Sequence, residues 1–142
     1  MQHWWSRLLS FFKSGESSNV GQQGEDVATG FLKAAGYKIL ARNHRSAIGE
    51  LDIIARSPDG FIVFVEVKTR NDSDPEGGFG AIHPAKRKKL TRTALGYLKS
   101  ERLLNQRCRF DVIVITIDAT RQPTIHHIVN AFEATGVNSM FS

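Results

Sequence analysis

Cysteine is almost absent. Cys108 is the only one in the chain, so no intramolecular disulfide can staple the fold and no multi-cysteine zinc site can form. Nothing therefore requires an oxidising compartment, and a cytoplasmic location is expected. Internal repeats and low-complexity tracts are missing, and no apolar run is long enough to cross a bilayer. Acid is in deficit: 14 Asp and Glu face 19 Lys and Arg, a formal charge of +5 that favours a polyanionic partner. Otherwise the 142 residues, 41% hydrophobic and 23% charged, have the usage of an ordinary globular protein. The length suits one core and leaves little room for a second.

Residues 1–18 read as an arm outside that core. Trp4, Trp5, Leu8, Leu9, Phe11 and Phe12 crowd together, but Ser6, Arg7 and Ser10 interrupt them and no small-residue cleavage site follows, which excludes a signal peptide. At helical spacing Trp4, Leu8, Phe11 and Phe12 share a face. That face suits packing on the domain or a partner, and membrane contact is the less favoured use. A Gly/Ser-rich linker within 14–24 joins the arm to a domain expected over 19–135, with a tail at 136–142.

Within the domain, Val27, Ala28, Phe31, Leu32 and Ala35 recur at three and four residues, predicting a helix over about 20–35 that stops at Gly36. Strands are expected at 37–45, 48–56 and 61–70, with turn residues Ser57, Pro58, Asp59 and Gly60 between the last two. The stretch 71–80, with three glycines and no periodicity, reads as a mobile loop. It lacks the G-K-[ST] ending of a phosphate-binding loop, which excludes nucleotide hydrolysis, and Phe79 in it suits base stacking or a buried anchor equally. A second helix spans about 84–102, a doubly buried strand 110–117, and a short edge strand 123–129. The expected architecture is α/β: a mixed sheet with helices packed on it.

Alternation places Leu51, Ile53 and Ala55 on one side of their strand and Glu50, Asp52 and Ile54 on the other. With Ser57 opposite Phe61, the hairpin sets Ile54 against Phe64, Asp52 against Glu66 and Glu50 against Lys68. Opposed residues have Cβ atoms about 4.5–5.5 Å apart, so two ionised carboxylates there repel unless a cation intervenes. Mg²⁺ suits such a pair, because it takes one or two carboxylates and keeps positions open for phosphate oxygens. Lys68, on the same face, is placed to orient or deprotonate a water or to stabilise charge at phosphorus. The bland alternative is a rim of solvated charges with a Glu50–Lys68 ion pair.

Glu25 in Gly24-Glu25-Asp26, then Gly49-Glu50-Leu51-Asp52, then Glu66-Val67-Lys68 resemble the three motifs of the PD-(D/E)XK nuclease superfamily, with Leu51 where the superfamily's name has Pro. Asn43-His44-Arg45, Lys86-Arg87, Arg92 and Phe110-Asp111-Val112 extend the likeness over about 21–132, and the chain is identified as a member of the YraN family, whose uncharacterised members are similar to Holliday-junction resolvases. The resemblance implies a restriction-endonuclease-like mixed β-sheet flanked by helices. It also implies Asp52, Glu66 and the Val67 carbonyl as ligands of Mg²⁺ or Mn²⁺, Lys68 as the catalytic lysine, and Glu25 as an additional acid. A homodimer is compatible with it, as a two-fold DNA junction suits a two-fold protein. For Glu25 there is also a purely structural role, an acid in the first helical turn complementing the helix dipole.

Lys86, Arg87, Lys88, Lys89 and Arg92 put five cations at the start of the second helix, a pattern that grips nucleic-acid backbone; Arg45 and Arg70 extend it, and Arg42 and His44 lie alongside. A crowd of like charges there calls for an acidic neighbour. His83 is near enough to meet a phosphate, His126 and His127 point to opposite faces and read as structural, and Asp111 is expected to pair with an arginine. Cys108, between Arg107 and Arg109, would have a lowered pKa if exposed. The expected function is a Mg²⁺-dependent endonuclease hydrolysing phosphodiesters in structured or branched DNA. The alternatives are a non-catalytic nucleic-acid-binding accessory module and an adaptor docking a membrane or partner through the arm.

Overall fold

The computed structural model describes residues 20–71, 81–117 and 122–135. The arm and linker up to residue 19, the glycine-rich stretch 72–80 with Phe79, and the tail from 136 lie outside the described residues. The elements are α1 (Val20–Ala34), β1 (Lys38–Arg45), β2 (Glu50–Arg56), β3 (Ile62–Asn71), α2 (Pro84–Ser100), β4 (Cys108–Ile117) and β5 (Pro123–Phe132). Thus β5 runs three residues past its expected end, and Asn71 belongs to β3.

Each boundary has a local cause. Gly36, at φ +90°, ends α1 by letting the Tyr37 N–H reach the Leu32 carbonyl at 2.9 Å. Gly60, at φ +93°, closes the β2–β3 hairpin, where the Ser57 N–H bonds the Phe61 carbonyl at 2.9 Å. At α2, Pro84 follows an N-cap, and the His83 Nδ1 accepts the Ala85 N–H at 3.1 Å. That bond gives His83 a structural task at the start of α2.

The five strands lie in the order β1-β2-β3-β4-β5. All neighbours are antiparallel except β3 and β4, whose parallel pairing is made possible by the α2 crossover. This is the mixed α/β sheet that was expected, with helices on both faces. On one face α1 buries Val27, Ala28 and Leu32 against Ile53, Ala55, Val63, Val65, Ile113 and Ile115. On the other, α2 buries Leu90, Ala94, Tyr97 and Leu98 among Leu51, Ile54, Phe64, Phe110, Val112 and Val114. Each large apolar side chain so covered contributes roughly 1.5–3 kcal/mol.

The hairpin register is as expected at Ile54↔Phe64, but strict alternation fails. Leu51 joins Ile54 in the α2-side core, not Ile53 and Ala55 on the α1 side. The change falls where β2 stops pairing with β3, at Ile53↔Val65; across β1, between the pairs Arg42↔Ile53 and His44↔Leu51, Asn43 adopts φ +50°.

A second irregularity lies on the α1 side. Asp111 is fully buried and accepts bonds from Arg109 Nε at 3.0 Å and from the Asn130 N–H at 2.9 Å, with His127 Nε2 at 2.7 Å. Asn130 sits at φ +53° where the β4–β5 register shifts, so the carboxylate fills the gap in the ladder. The expected Asp111–arginine pair is therefore present, and the His127 ring packs edge-on against Phe31 and Tyr37. Cys108 is buried and its thiol is pushed up to about 11 by desolvation, the reverse of what exposure would have done.

Candidate active site

The open end of the β2–β3 pair carries the acids. Regular pairing of the two strands begins at Ile53↔Val65, and beyond it the Asp52 Oδ2 accepts the Val67 N–H at 2.9 Å. A carboxylate thus takes a ladder bond's place and is held rigidly beside the next inward residue, Glu66. Glu66 is only 8% exposed and lies within hydrogen-bonding reach of Asp52. Its carboxyl pKa is pushed up to about 7, first by burial and then by the Asp52 charge. Asp52 and Glu66 do come together as the hairpin arithmetic predicted, but through their side chains, since the regular pairing stops one residue short, at Ile53↔Val65.

The Glu50–Lys68 pair is not formed. Glu50 faces Arg45 at 3.4 Å, both largely exposed, and the Lys68 ammonium donates to the Ala81 carbonyl just before α2. The pair fails because β2 and β3 separate at Asp52, taking Glu50 away from β3. Lys68 has its pKa lowered, by burial first and then by the charges of Arg70 and Lys86.

Glu25 reaches the same place from α1. It is the sixth residue of that helix, whose first turn holds no acid, so the helix-dipole role read from sequence does not apply. Its pKa is raised by burial and by Asp52, against a lowering hydrogen bond from the Asn43 side chain. Gly24 explains the approach, since a Cβ there would collide with Thr69 Oγ1 on β3. Asn43 is the residue sequence reasoning did not single out for the site; its signal was an asparagine in mid-strand, a type that tolerates positive φ.

The basic helix divides into two groups. Lys86 forms an ion pair with Glu66, supplying the acidic neighbour that the cluster called for. Arg87 donates to the Ile82 carbonyl at 2.8 Å and lies over the Phe132 ring, so it is committed to the fold and not to the open face assigned to it. Lys88, Lys89 and Arg92 are exposed and make no ion pair with other described residues. Arg42 is tied to Asp26 at 2.5 Å, and His44 packs against Tyr97.

A cleft of about 440 Å³ opens here, lined by Ile48, Gly49, Asp52, Glu66, Lys86 and Lys89 among others. Gly49 allows its wall to form, because a Cβ there would stand 2.8 Å from Thr93 Oγ1. Among the described residues no group of three His, Cys, Asp or Glu is arranged to hold a metal. Two close carboxylates at an open cleft nonetheless fit Mg²⁺, which completes its shell with water and phosphate oxygens. Asp52 and Glu66 are the residues that would hold it.

Fold and site together define an α/β protein with a five-stranded mixed sheet, helices on both faces and an acidic, lysine-flanked cleft. The chain belongs to the uncharacterised protein family UPF0102, which its residues 24–115 match. It is 44% identical over 119 residues to a UPF0102 protein of Pelobacter propionicus, covering 83% of this chain and 85% of that one. It is 43% identical over 128 residues to UPF0102 protein GSU0650 of Geobacter sulfurreducens, covering 84% and 95%. Among solved structures, similarity extends to the EndoMS-dsDNA2 complex at TM-score 0.37 and 18% identity, covering 59% of this chain and 33% of that chain. It extends also to Pyrococcus furiosus SfsA in complex with Ca²⁺ at TM-score 0.37 and 15% identity, covering 78% and 62%. The chain therefore spans less than two thirds of either of those molecules, and scores this low carry no function across. Among the described residues no helix is long and apolar enough to cross a membrane.

Proposed function

We propose that the protein is a Mg²⁺- or Mn²⁺-dependent endonuclease acting on structured or branched DNA. One observation carries this reading: Asp52 and Glu66 are held together, against their mutual repulsion, at a cleft walled by the cations of α2. A structural acid pair has no reason to remain under-neutralised where solvent and a polyanion can enter. Held by these two carboxylates, Mg²⁺ would supply Lewis-acid stabilisation of the phosphoryl oxygens. The protein's own groups do the rest. Asp52, fixed through the Val67 N–H, and Glu66 present the carboxylates, and the Val67 carbonyl is the third ligand the family resemblance implies. Lys68, its pKa lowered by burial, is suited to move a proton or steady the attacking water once it leaves the Ala81 carbonyl. Glu25, oriented by Asn43, adds an acid from α1. Lys88, Lys89 and Arg92 hold the DNA backbone without reading sequence, with Arg45 and Arg70 beyond them.

The second reading, a non-catalytic nucleic-acid-binding module, is favoured by the engagement of Lys68 with Ala81 rather than with Glu66. The deciding experiment is cleavage of labelled duplex, single-stranded, flap and four-way-junction DNA with Mg²⁺ or Mn²⁺, beside Asp52→Asn and Lys68→Ala. Cutting by the unmutated protein, lost by at least about 100-fold in Asp52→Asn with metal-free DNA binding retained, is the expected result. Cleavage that survives Asp52→Asn overturns the assignment of the site; binding without cleavage on every substrate favours the module.

A further inference from the structure

The lysine that neutralises Glu66 is not the one the strand motif supplies. Lys68 lies two residues along β3 yet bonds Ala81, whereas the ammonium on Glu66 Oε1 belongs to Lys86 of α2, brought in only by the crossover. The Glu66 side chain is 9% exposed and that of Lys86 is 52% exposed, so the contact stands at the cleft wall with the lysine stem open to solvent. One ammonium faces two carboxylates there, Glu66 in contact and Asp52 through its charge.

The backbone beneath Lys86 is firmly placed. His83 caps the helix, Arg87 ties it to the Ile82 carbonyl, and Thr91 and Thr93 bond back one turn at 2.8 Å. Only the flexible four-carbon stem of Lys86 is left to move. Released from Glu66, its ammonium would remain at the cleft wall beside Lys89, which is exposed and lines the same cleft. A divalent cation outcompetes a single ammonium for a carboxylate pair because it brings twice the charge to the same oxygens.

We propose that Lys86 is a built-in counter-ion for Glu66 that a divalent cation must displace, and that the displaced ammonium then grips a backbone phosphate, so that metal loading and nucleic-acid binding strengthen one another. This rests on the metal-dependent reading above. It makes Lys86 a coupling residue and distinguishes it from the three exposed cations, which bind phosphate whether or not metal is present.

The test is calorimetric titration of Mn²⁺ into the unmutated protein, Lys86→Gln, Lys86→Arg and Asp52→Asn, with circular dichroism to check folding. Removing the competing charge in Lys86→Gln should tighten Mn²⁺ binding about 10-fold, while Lys86→Arg, which keeps the charge, should not. Alongside, the affinity for a labelled DNA duplex is measured with and without Ca²⁺ at constant ionic strength. Ca²⁺ should raise it in the unmutated protein and lose that effect in Lys86→Gln, since coupling is reciprocal. Mn²⁺ affinity that is equal or weaker in folded Lys86→Gln overturns the counter-ion role alone, and an equal Ca²⁺ effect on the duplex in both proteins overturns the coupling. Absence of Asp52-dependent Mn²⁺ binding in every variant overturns the metal-dependent reading and this proposal with it.

Discussion

Two clusters of buried acid lie on opposite sides of the same sheet, and they are built to different ends. On the α1 side, Asp111 is enclosed by Arg109, His127 and the Asn130 N–H, every partner within ordinary hydrogen-bonding distance. The one buried carboxylate meets a guanidinium that also bonds Tyr37 at 2.8 Å and whose second acidic neighbour, Asp59 at 3.7 Å, stands in solvent, so the buried charges balance. On the α2 side, Asp52 and Glu66 share one Lys86, so negative charge is in excess at a cleft of about 440 Å³. Burial alone does not mark a functional acid. What separates the two clusters is uncompensated charge at an entrance, because a satisfied buried ion pair serves the fold while a frustrated one awaits a cation.

The comparison can be broken most severely at Asp111. Asp111→Ala strands the Arg109 charge and unfills the β4–β5 irregularity, and should cost about 3–5 kcal/mol in urea unfolding while leaving Mn²⁺ affinity of the folded protein unchanged. A small loss would mean that the α1-side cluster is not the structural one.

The next effect concerns Glu66 and pH. Its carboxyl titrates at about 7 in the fold against an ordinary value of 4.5, so the folded state holds the proton more tightly than the unfolded chain. That contribution is fully present below pH about 4.5 and is lost as pH rises through about 7, a fall of about 2–3 kcal/mol in EDTA. In Glu66→Gln most of the fall should vanish, leaving the part due to Glu25, whose pKa is raised in the same direction. For the unmutated protein, Mg²⁺ should restore more stability at pH 8 than at pH 5, because proton and metal compete for one carboxylate. An identical pH profile in Glu66→Gln would remove the frustration argument.

The smallest effects belong to the exposed cations. Lys88→Ala, Lys89→Ala and Arg92→Ala should each weaken duplex binding by less than about 1 kcal/mol and lower the salt slope by about 0.9 for each phosphate no longer neutralised. Arg87→Ala, by contrast, should act on stability through its bond to Ile82 and its packing on Phe132. If Arg87 altered the salt slope as Lys88 does, the division of the basic helix would be wrong.

Much of this was legible in one dimension. The spacing of Val27, Phe31 and Leu32, the turn at 57–60 and the apolar run of β4 identify the elements, and the hairpin arithmetic brings Asp52 near Glu66, although the regular pairing stops one residue short. These are local matters, decided by side-chain period and turn chemistry over a few residues. The side to which Leu51 turns was not legible, because alternation fails where β2 stops pairing with β3, and no period in the sequence marks that point. Nor was the partner of Glu50, which changes once β2 and β3 part at Asp52.

By itself, then, the sequence determined the α/β class, the order of elements and the identity of the paired acids, since each follows from periodicity or from a hairpin whose register one short turn dictates. Only the tertiary structure decided which cation answers which acid. Lys68 was nearest to Glu66 along the strand, yet the α2 crossover delivers Lys86 to it and leaves Lys68 on the Ala81 carbonyl. Electrostatic pairing depends on distance through space and on burial, and neither is a property of position along a chain.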